Sequence, residues 1–284
     1  MVSGHEPLRP DRVAGMNLIY VFHPLTRFFD AMVDLEVDAV ELWGGSPHLF
    51  ADDVTAADVA RIRRELERRD LRLVCYTPEQ CVYPYNWAAA EERLRDRSVR
   101  YLERSLDIAG ELGAGLMLVT SGWGYAAEPA GVAWERSRQT LARVAARGAA
   151  CGVTLVLEPL QPVESNLVID LASLRRMIDE VGSPSLAACL DTVAMAVAGE
   201  DIERSLDELG GLLRHIHLND GDPAGHLVWG DGSLPLADYL RAVGKRGYAG
   251  HLTLEIAADG YRTDPDAAMR RGLQAVRTAI DRLT

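Results

Sequence analysis

The sequence predicts an α/β protein, a single-domain (β/α)8 TIM barrel spanning residues 1–284. Eight short apolar runs alternate with longer amphipathic, charged runs, and eight strand–helix units close into a parallel barrel more readily than they form an open sheet. The length of 284 residues suits one such barrel, and no linker or low-complexity block divides the chain. The competing fold, a doubly wound sheet, usually shows GxGxxG after its first strand, and none follows the first run here.

The first strand is expected in GMNLIYVF, with HPLTRFF continuing from it. The next seven are AVELW, LRLVCYT, GLMLVT, VTLVLE, LAACLD, LRHIHL and HLTLEI. Between them lie helical patterns. ADVARIRRELERR follows Thr55, a suitable N-cap, and SVRYLERSLDIAGELG stops at a glycine. WERSRQTLARVAARGAACG, LASLRRMIDEVG, DIERSLDELGGLL, PLADYLRAVGKRG and the closing DPDAAMRRGLQAVRTAIDRL complete the set.

At 48% hydrophobic residues the chain can bury a large core. A formal net charge of -12, with arginines interleaved among acids as in EERLRDRSVRYLERS, excludes nucleic acid as the expected partner. Cys75, Cys81, Cys151 and Cys189 have no CxxC spacing and read as reduced residues, not a disulfide set or a zinc site. The first residues, MVSGHEPLRPDRVAG, lack the apolar stretch of a signal peptide, and no run is long enough to span a membrane. The expected setting is therefore cytoplasmic, with no membrane association.

Barrel active sites gather at the C-terminal ends of the strands, so the last residue of each run is the informative one. The second run contains Glu41 and Trp43 and leads to His48; the third leads to Thr77, Glu79 and Gln80; the fourth leads to Thr120, Ser121 and Trp123. The fifth ends on a carboxylate, in LEPLQPVESN, where an apolar strand has no use for Glu158 unless something compensates its charge. The sixth ends on Asp191, the seventh contains His217 and the eighth contains Glu255. Each alone has an ordinary reading, as a helix cap or a partner for arginine, and His215 or His217 alone is an ordinary buried histidine; the two are expected on opposite faces of their strand. Four potential ligands on four successive strands are harder to explain that way. Three carboxylates and an imidazole form a hard, oxygen-rich set suited to Mn²⁺, Mg²⁺ or Co²⁺.

Glu158, Asp191, His217 and Glu255 lie 33, 26 and 38 residues apart, and with EPLQPVESN, LDTV, HIHLND, LEI and ELWGGSPH they resemble the xylose isomerase-like barrel superfamily, closest to its ketose 3-epimerase and hydroxypyruvate isomerase branch. The resemblance covers nearly the whole chain. It implies one divalent metal ion, Mn²⁺ first and Mg²⁺, Co²⁺ or Zn²⁺ next, held by Glu158, Asp191, His217 and Glu255. It implies that Glu158 and Glu255 are also the catalytic acid and base, that Glu164 binds substrate oxygens, and that the substrate is a small sugar or keto sugar. The assembly it implies is a homodimer, or a complex with a small accessory subunit.

Two positions depart from the pattern. Ala194 and Pro223 stand where the ketose 3-epimerases carry a histidine and an arginine toward the substrate, so His226 or His48 is expected to substitute, unless each is a plain loop histidine. Trp43, Trp87, Trp123 and Trp229 are expected either to line the mouth or to pack in the core, with Trp123 the candidate for substrate contact. Three readings remain open besides epimerisation or isomerisation. One is elimination from a 3-keto sugar, as in C-glycoside deglycosidase large subunits; another is a dehydroshikimate dehydratase-like lyase; the third is a non-catalytic partner subunit. A DNA-repair nuclease of the same superfamily is disfavoured by the negative charge and the lack of further histidine ligands.

Overall fold

Parallel strands covered by helices are buried on both faces, and the strands here are accordingly almost continuous apolar runs. The structure, a computed structural model, describes residues 8–80 and 85–283. Its strands are β1 (Val13–Met16), β2 (Ala39–Gly44), β3 (Arg72–Pro78), β4 (Leu116–Val119), β5 (Thr154–Leu157), β6 (Leu186–Asp191), β7 (Leu213–His217) and β8 (Leu252–Leu254). All neighbours pair in parallel in chain order, and β1 closes on β8. The fold is a (β/α)8 TIM barrel.

The outer layer is formed by α1 (Leu25–Asp34), α2 (Ala56–Glu67), α3 (Glu92–Leu112), α4 (Ala130–Cys151), α5 (Leu171–Val181), α6 (Thr192–Val197), α7 (Ile202–Leu209), α8 (Leu236–Lys245) and α9 (Pro265–Asp281). Local signals place their ends. Thr55 caps α2 in a reciprocal box with Asp58. Gly113, Gly152 and Gly182 end α3, α4 and α5 in the left-handed conformation that favours glycine. Among the described residues, none of these helices is long and apolar enough to cross a membrane.

The expected first strand is too long. β1 stops at Met16, Leu18–Tyr20 form a 3-10 turn, and Pro24 opens α1. The apolar residues of that stretch are buried, but at helical spacing: Phe28, Phe29 and Met32 face the core from α1. An apolar run alone does not separate strand from buried helix.

Two apolar clusters result. The large one lies between barrel and helices; the small one fills the barrel interior with Ala14, Ala39, Val74, Cys75, Leu118, Val156, Ala187 and Cys189. This floor of small side chains supports the polar groups at the strand ends. Cys75, Cys151 and Cys189 are free, as expected, while Cys81 lies outside the described residues.

Candidate active site and metal centre

The barrel brings four of the strand-end residues together. Glu158 follows β5, Asp191 ends β6, His217 ends β7 and Glu255 follows β8. One donor atom from each lies within 4.8 Å of those of the other three. His217 Nδ1 is 2.7 Å from Glu158 Oε1 and 3.0 Å from Glu255 Oε2. Asp191 and His217 are register partners, so pairing of β6 with β7 itself sets that contact. Asp191 also caps α6: its Oδ1 accepts from the Ala194 N–H at 2.6 Å, and its Oδ2 accepts from Asn219 Nδ2 at 3.1 Å.

Bringing these acids together out of water shifts their protons. Burial raises the Glu158 carboxyl, His217 partly offsets this, and Glu255 and Asp191 add repulsion, so it is pushed up to about 7. Burial acts on Glu255 in the same sense but is outweighed by His217 and His226, so it is held low. Burial disfavours the charged form of His217, yet Glu255, Glu158 and Glu41 outweigh it and hold its value well above the ordinary imidazole range. Burial pushes the Cys75 and Cys189 thiols up, so both stay protonated in the metal-free protein.

His215 and His217 do not face opposite ways. Residues two apart in a strand share a face, and both rings point into the barrel, with centroids 5.2 Å apart. Beneath them lies Glu41, completely buried. Its Oε2 accepts from His215 Nε2 at 2.6 Å, its Oε1 accepts from His217 Nε2 at 3.1 Å, and Thr77 Oγ1 donates to Oε1 as well. Glu41 is visible in the sequence as a polar residue near a strand end, but only the closed barrel shows it reaching across from β2 to β7.

A cavity of about 190 Å³ opens above the cluster, lined by Trp43, Glu79, Thr120, Glu158, Glu164, His226 and Glu255 among others. Glu164 faces it while its neighbours clamp the adjoining loop: Ser165 Oγ donates to Gly122 O at 2.7 Å, and Asn166 makes two 2.9 Å bonds with the Gly124 backbone. His226 enters from the loop after β7, with Nε2 3.4 Å from both Asp191 Oδ2 and Glu255 Oε2. It holds a left-handed backbone conformation (φ 31°) uncommon for a side chain of its size.

That loop is built on Asp220, a residue that sequence reasoning missed. Its Oδ1 accepts from the N–H groups of Gly221 and Leu234, and its Oδ2 from those of Gly230 and Gly232. A Cβ on Gly232 would lie 2.5 Å from Asp220 Oδ1, which is why glycine stands there in WGDGS. The HLND segment offered this signal, as a buried acid followed by a glycine-rich loop.

Other expected contacts are not brought to the cavity. His48 lies behind Asn17: its Nδ1 accepts from Asn17 Nδ2 at 2.9 Å and its Nε2 donates to His23 O at 2.8 Å, so both ring nitrogens are engaged. Asn17 in turn pins the Trp43 backbone. Trp123 is 40% exposed and packs edge-on against Tyr125, outside the cavity lining. Trp87 and Trp229 are core residues whose indole N–H groups bond to Thr120 O and Leu218 O. Trp43 alone of the four lines the cavity, its Nε1 donating to Glu79 Oε2 at 2.8 Å.

The residues present fit a divalent cation. His217 Nδ1 is buried and makes no hydrogen bond of acceptable geometry, although two carboxylate oxygens lie within 3.0 Å. That nitrogen is directed between the acids. Three carboxylates and one such nitrogen are the donors expected of a hard, oxygen-rich site.

Fold and site together define an α/β barrel of the enzyme type, with an acidic, imidazole-containing centre at the C-terminal mouth. The chain belongs to the xylose isomerase-like TIM barrel family, whose model matches residues 29–279. It is 32% identical to the fructoselysine 3-epimerase of Escherichia coli O157:H7 over 90% of this chain and 94% of that protein. It is 29% identical to the L-ribulose 3-epimerase of Mesorhizobium japonicum over 59% of this chain and 57% of that protein. Among solved structures, a 3-keto-D-glucoside 4-epimerase from E. coli superposes with a TM-score of 0.81 at 19% identity, covering 94% of this chain and 99% of that one. An L-ribulose 3-epimerase superposes with a TM-score of 0.82 at 22% identity, covering 96% and 95%. These two superpositions show the shared fold.

Two outcomes follow from the geometry. Asp220→Ala leaves several buried N–H groups unpaired and should cost about 2–3 kcal/mol, measured by denaturant unfolding; a neutral result would mean the loop does not depend on that carboxylate. In metal-free protein, Glu158 keeps its proton up to about pH 7, where the unfolded chain has already released it. His217 and His226 likewise hold protons above the ordinary imidazole value. Burial holds His48 and His251 low, which opposes the Glu158 contribution below the ordinary imidazole value; above it the folded state binds more protons, and stability should fall as pH rises from about 6.5 to about 8. Glu41 and Glu255, held low, change the slope only at more acid pH. Melting curves of chelator-treated protein across this range should show a steadily declining Tm, and a rising one would contradict the assignment.

Proposed function

We propose that this protein is a divalent-metal-dependent sugar epimerase that works by proton transfer at the carbon next to a carbonyl. The observation that carries the reading is the convergence of Glu158, Asp191, His217 and Glu255 around one point below the cavity. The named relatives, fructoselysine and L-ribulose 3-epimerases, support it. Those four residues would hold the ion, with Mn²⁺ the preferred occupant and Mg²⁺, Co²⁺ or Zn²⁺ alternatives that the donor set also accepts. When bound, the ion supplies Lewis-acid stabilisation for negative charge developing on the carbonyl oxygen.

The chain's own residues do the rest. Glu158 and Glu255 reach the site from β5 and β8, strands separated by two others around the barrel. One carboxylate removes the proton from the carbon beside the carbonyl, leaving an enediolate, and the other returns a proton to the opposite face. Inversion at that carbon makes the product an epimer. Glu164 and His226 line the cavity and are the side chains for hydroxyl and carbonyl oxygens, His226 standing in for the donors that Ala194 and Pro223 lack.

The cavity also limits the substrate. Among the described residues no lysine or arginine lines it, and Glu79 and Glu164 add two acids beyond the cluster. A phosphorylated or acidic sugar is disfavoured there. With the two usual donors missing, a substituted ketose of the fructoselysine kind is a better substrate than a free ketohexose. The reaction would be inversion at C3, the carbon named for both relatives.

Incubation in deuterated water with an amine-substituted ketose, free ketohexoses and 3-keto glycosides, read by NMR, tests this. Deuterium at C3 of the substituted ketose is expected, with weak turnover of psicose or tagatose. Loss of an aglycone would establish elimination instead, and high kcat/KM on psicose would return the chain to the ordinary ketose epimerases. Glu158→Gln and Glu255→Gln, assayed at saturating metal, should each lower kcat by about 10²–10⁴-fold with a smaller effect on KM. Near-normal turnover in both would remove them as proton carriers.

A further inference from the structure

Glu41 takes no part in the chemistry above, yet it is a fully buried acid with no lysine or arginine among the described residues bonded to it. Burying a carboxylate costs several kcal/mol unless its lone pairs are well used. Here they are used by three groups: His215 Nε2, His217 Nε2 and the Thr77 hydroxyl. An ionised carboxylate only accepts hydrogen bonds, so each of these partners must donate. His217 therefore carries a proton on Nε2 toward Glu41, and Nδ1 is left facing Glu158 and Glu255.

We propose that Glu41 is a positioning residue for the metal centre: it fixes the tautomer and ring orientation of His217, while His215 and Thr77 hold the carboxylate in place. The proposal rests on the reading of the four-residue cluster as a metal site. The general reason is that a carboxylate on the far nitrogen of a ligating histidine orients the ring and raises its basicity. The particular reason is that Glu41 comes from β2, which is not a neighbour of β7, so this contact is made across the barrel interior and not by strand pairing.

Glu41→Gln is the informative substitution. A glutamine presents one accepting oxygen and one donating NH₂, where the native carboxylate meets two imidazole N–H groups and a hydroxyl. With the NH₂ toward His217 that ring must move its proton to Nδ1, which blocks the ligating nitrogen; with the NH₂ toward His215 that ring moves its proton to its unpartnered Nδ1 instead, and in either case His217 loses the charged acceptor that raises its basicity. The Mn²⁺ Kd, measured by calorimetry, should weaken by about 10–100-fold, while the Tm of the metal-free variant stays within a few degrees of wild type. A purely structural role would lower that Tm and leave the Kd unchanged, which would overturn the proposal.

A second measurement needs no variant. In zinc-loaded wild-type protein, nitrogen-15 spectra of the histidine rings should show His217 protonated on Nε2 and metal-shifted at Nδ1. A proton on Nδ1, or metal on Nε2, would overturn the proposal while leaving the metal site standing. Absence of any saturable Mn²⁺ or Zn²⁺ binding to wild type would overturn both.

Discussion

Three carboxylates, two of them buried and one partly buried, lie within 4.8 Å of one another around an imidazole and repel one another, and the rest of the site is arranged around that repulsion. In water such charges are screened; at the mouth of an apolar barrel they are not. Left alone, the group relieves itself by retaining protons, as the raised Glu158 carboxyl shows. A chain selected only for folding would replace these acids with apolar side chains, at little cost or some gain in stability. Their presence, with His217, at the ends of four consecutive strands is the physical argument for a compensating cation.

Among the described residues, lysine and arginine are kept out of the cavity. The arginines lie largely on the outer helices, paired with acids one turn away, as in Arg63–Glu67, Arg176–Glu180 and Arg204–Glu208. Such exposed pairs contribute little each, but they keep guanidinium groups outside the barrel. Inside, small side chains fill the floor, Glu41 ties His215 and His217 from below, and Asp220 organises the loop that delivers His226 from above. Negative charge is thereby concentrated at one point, with polar groups on the ring and loop that face it.

Most of the fold was legible in the sequence because its signals are local. Strand-length apolar runs, Thr55 as a cap and Gly113 as a stop act within one turn of chain. The first run misled because buried apolar residues fit a 3-10 turn and a helix as well as a strand. The three clustered acids and the imidazole were legible because barrel topology converts strand order into neighbourhood. Glu41, Asp220 and the withdrawal of His48 behind Asn17 were not, because each depends on a contact across the barrel or within a loop that no spacing encodes. The inward facing of both His215 and His217 was available from strand alternation alone.

Ala194 and Pro223 are not among the four clustered residues, so the centre and the substrate contacts can be tested separately. The centre is therefore the part to test first. Titrating Mn²⁺ into chelator-treated protein by calorimetry, beside an Asp191→Asn variant, addresses it most directly. One saturable site per chain, a Tm that rises with metal, and much weaker binding in the variant, which loses a charged oxygen donor, are the expected results of a metal centre at these residues. Folded, active protein that binds no divalent ion, or binds it equally well without the Asp191 carboxylate, would contradict it.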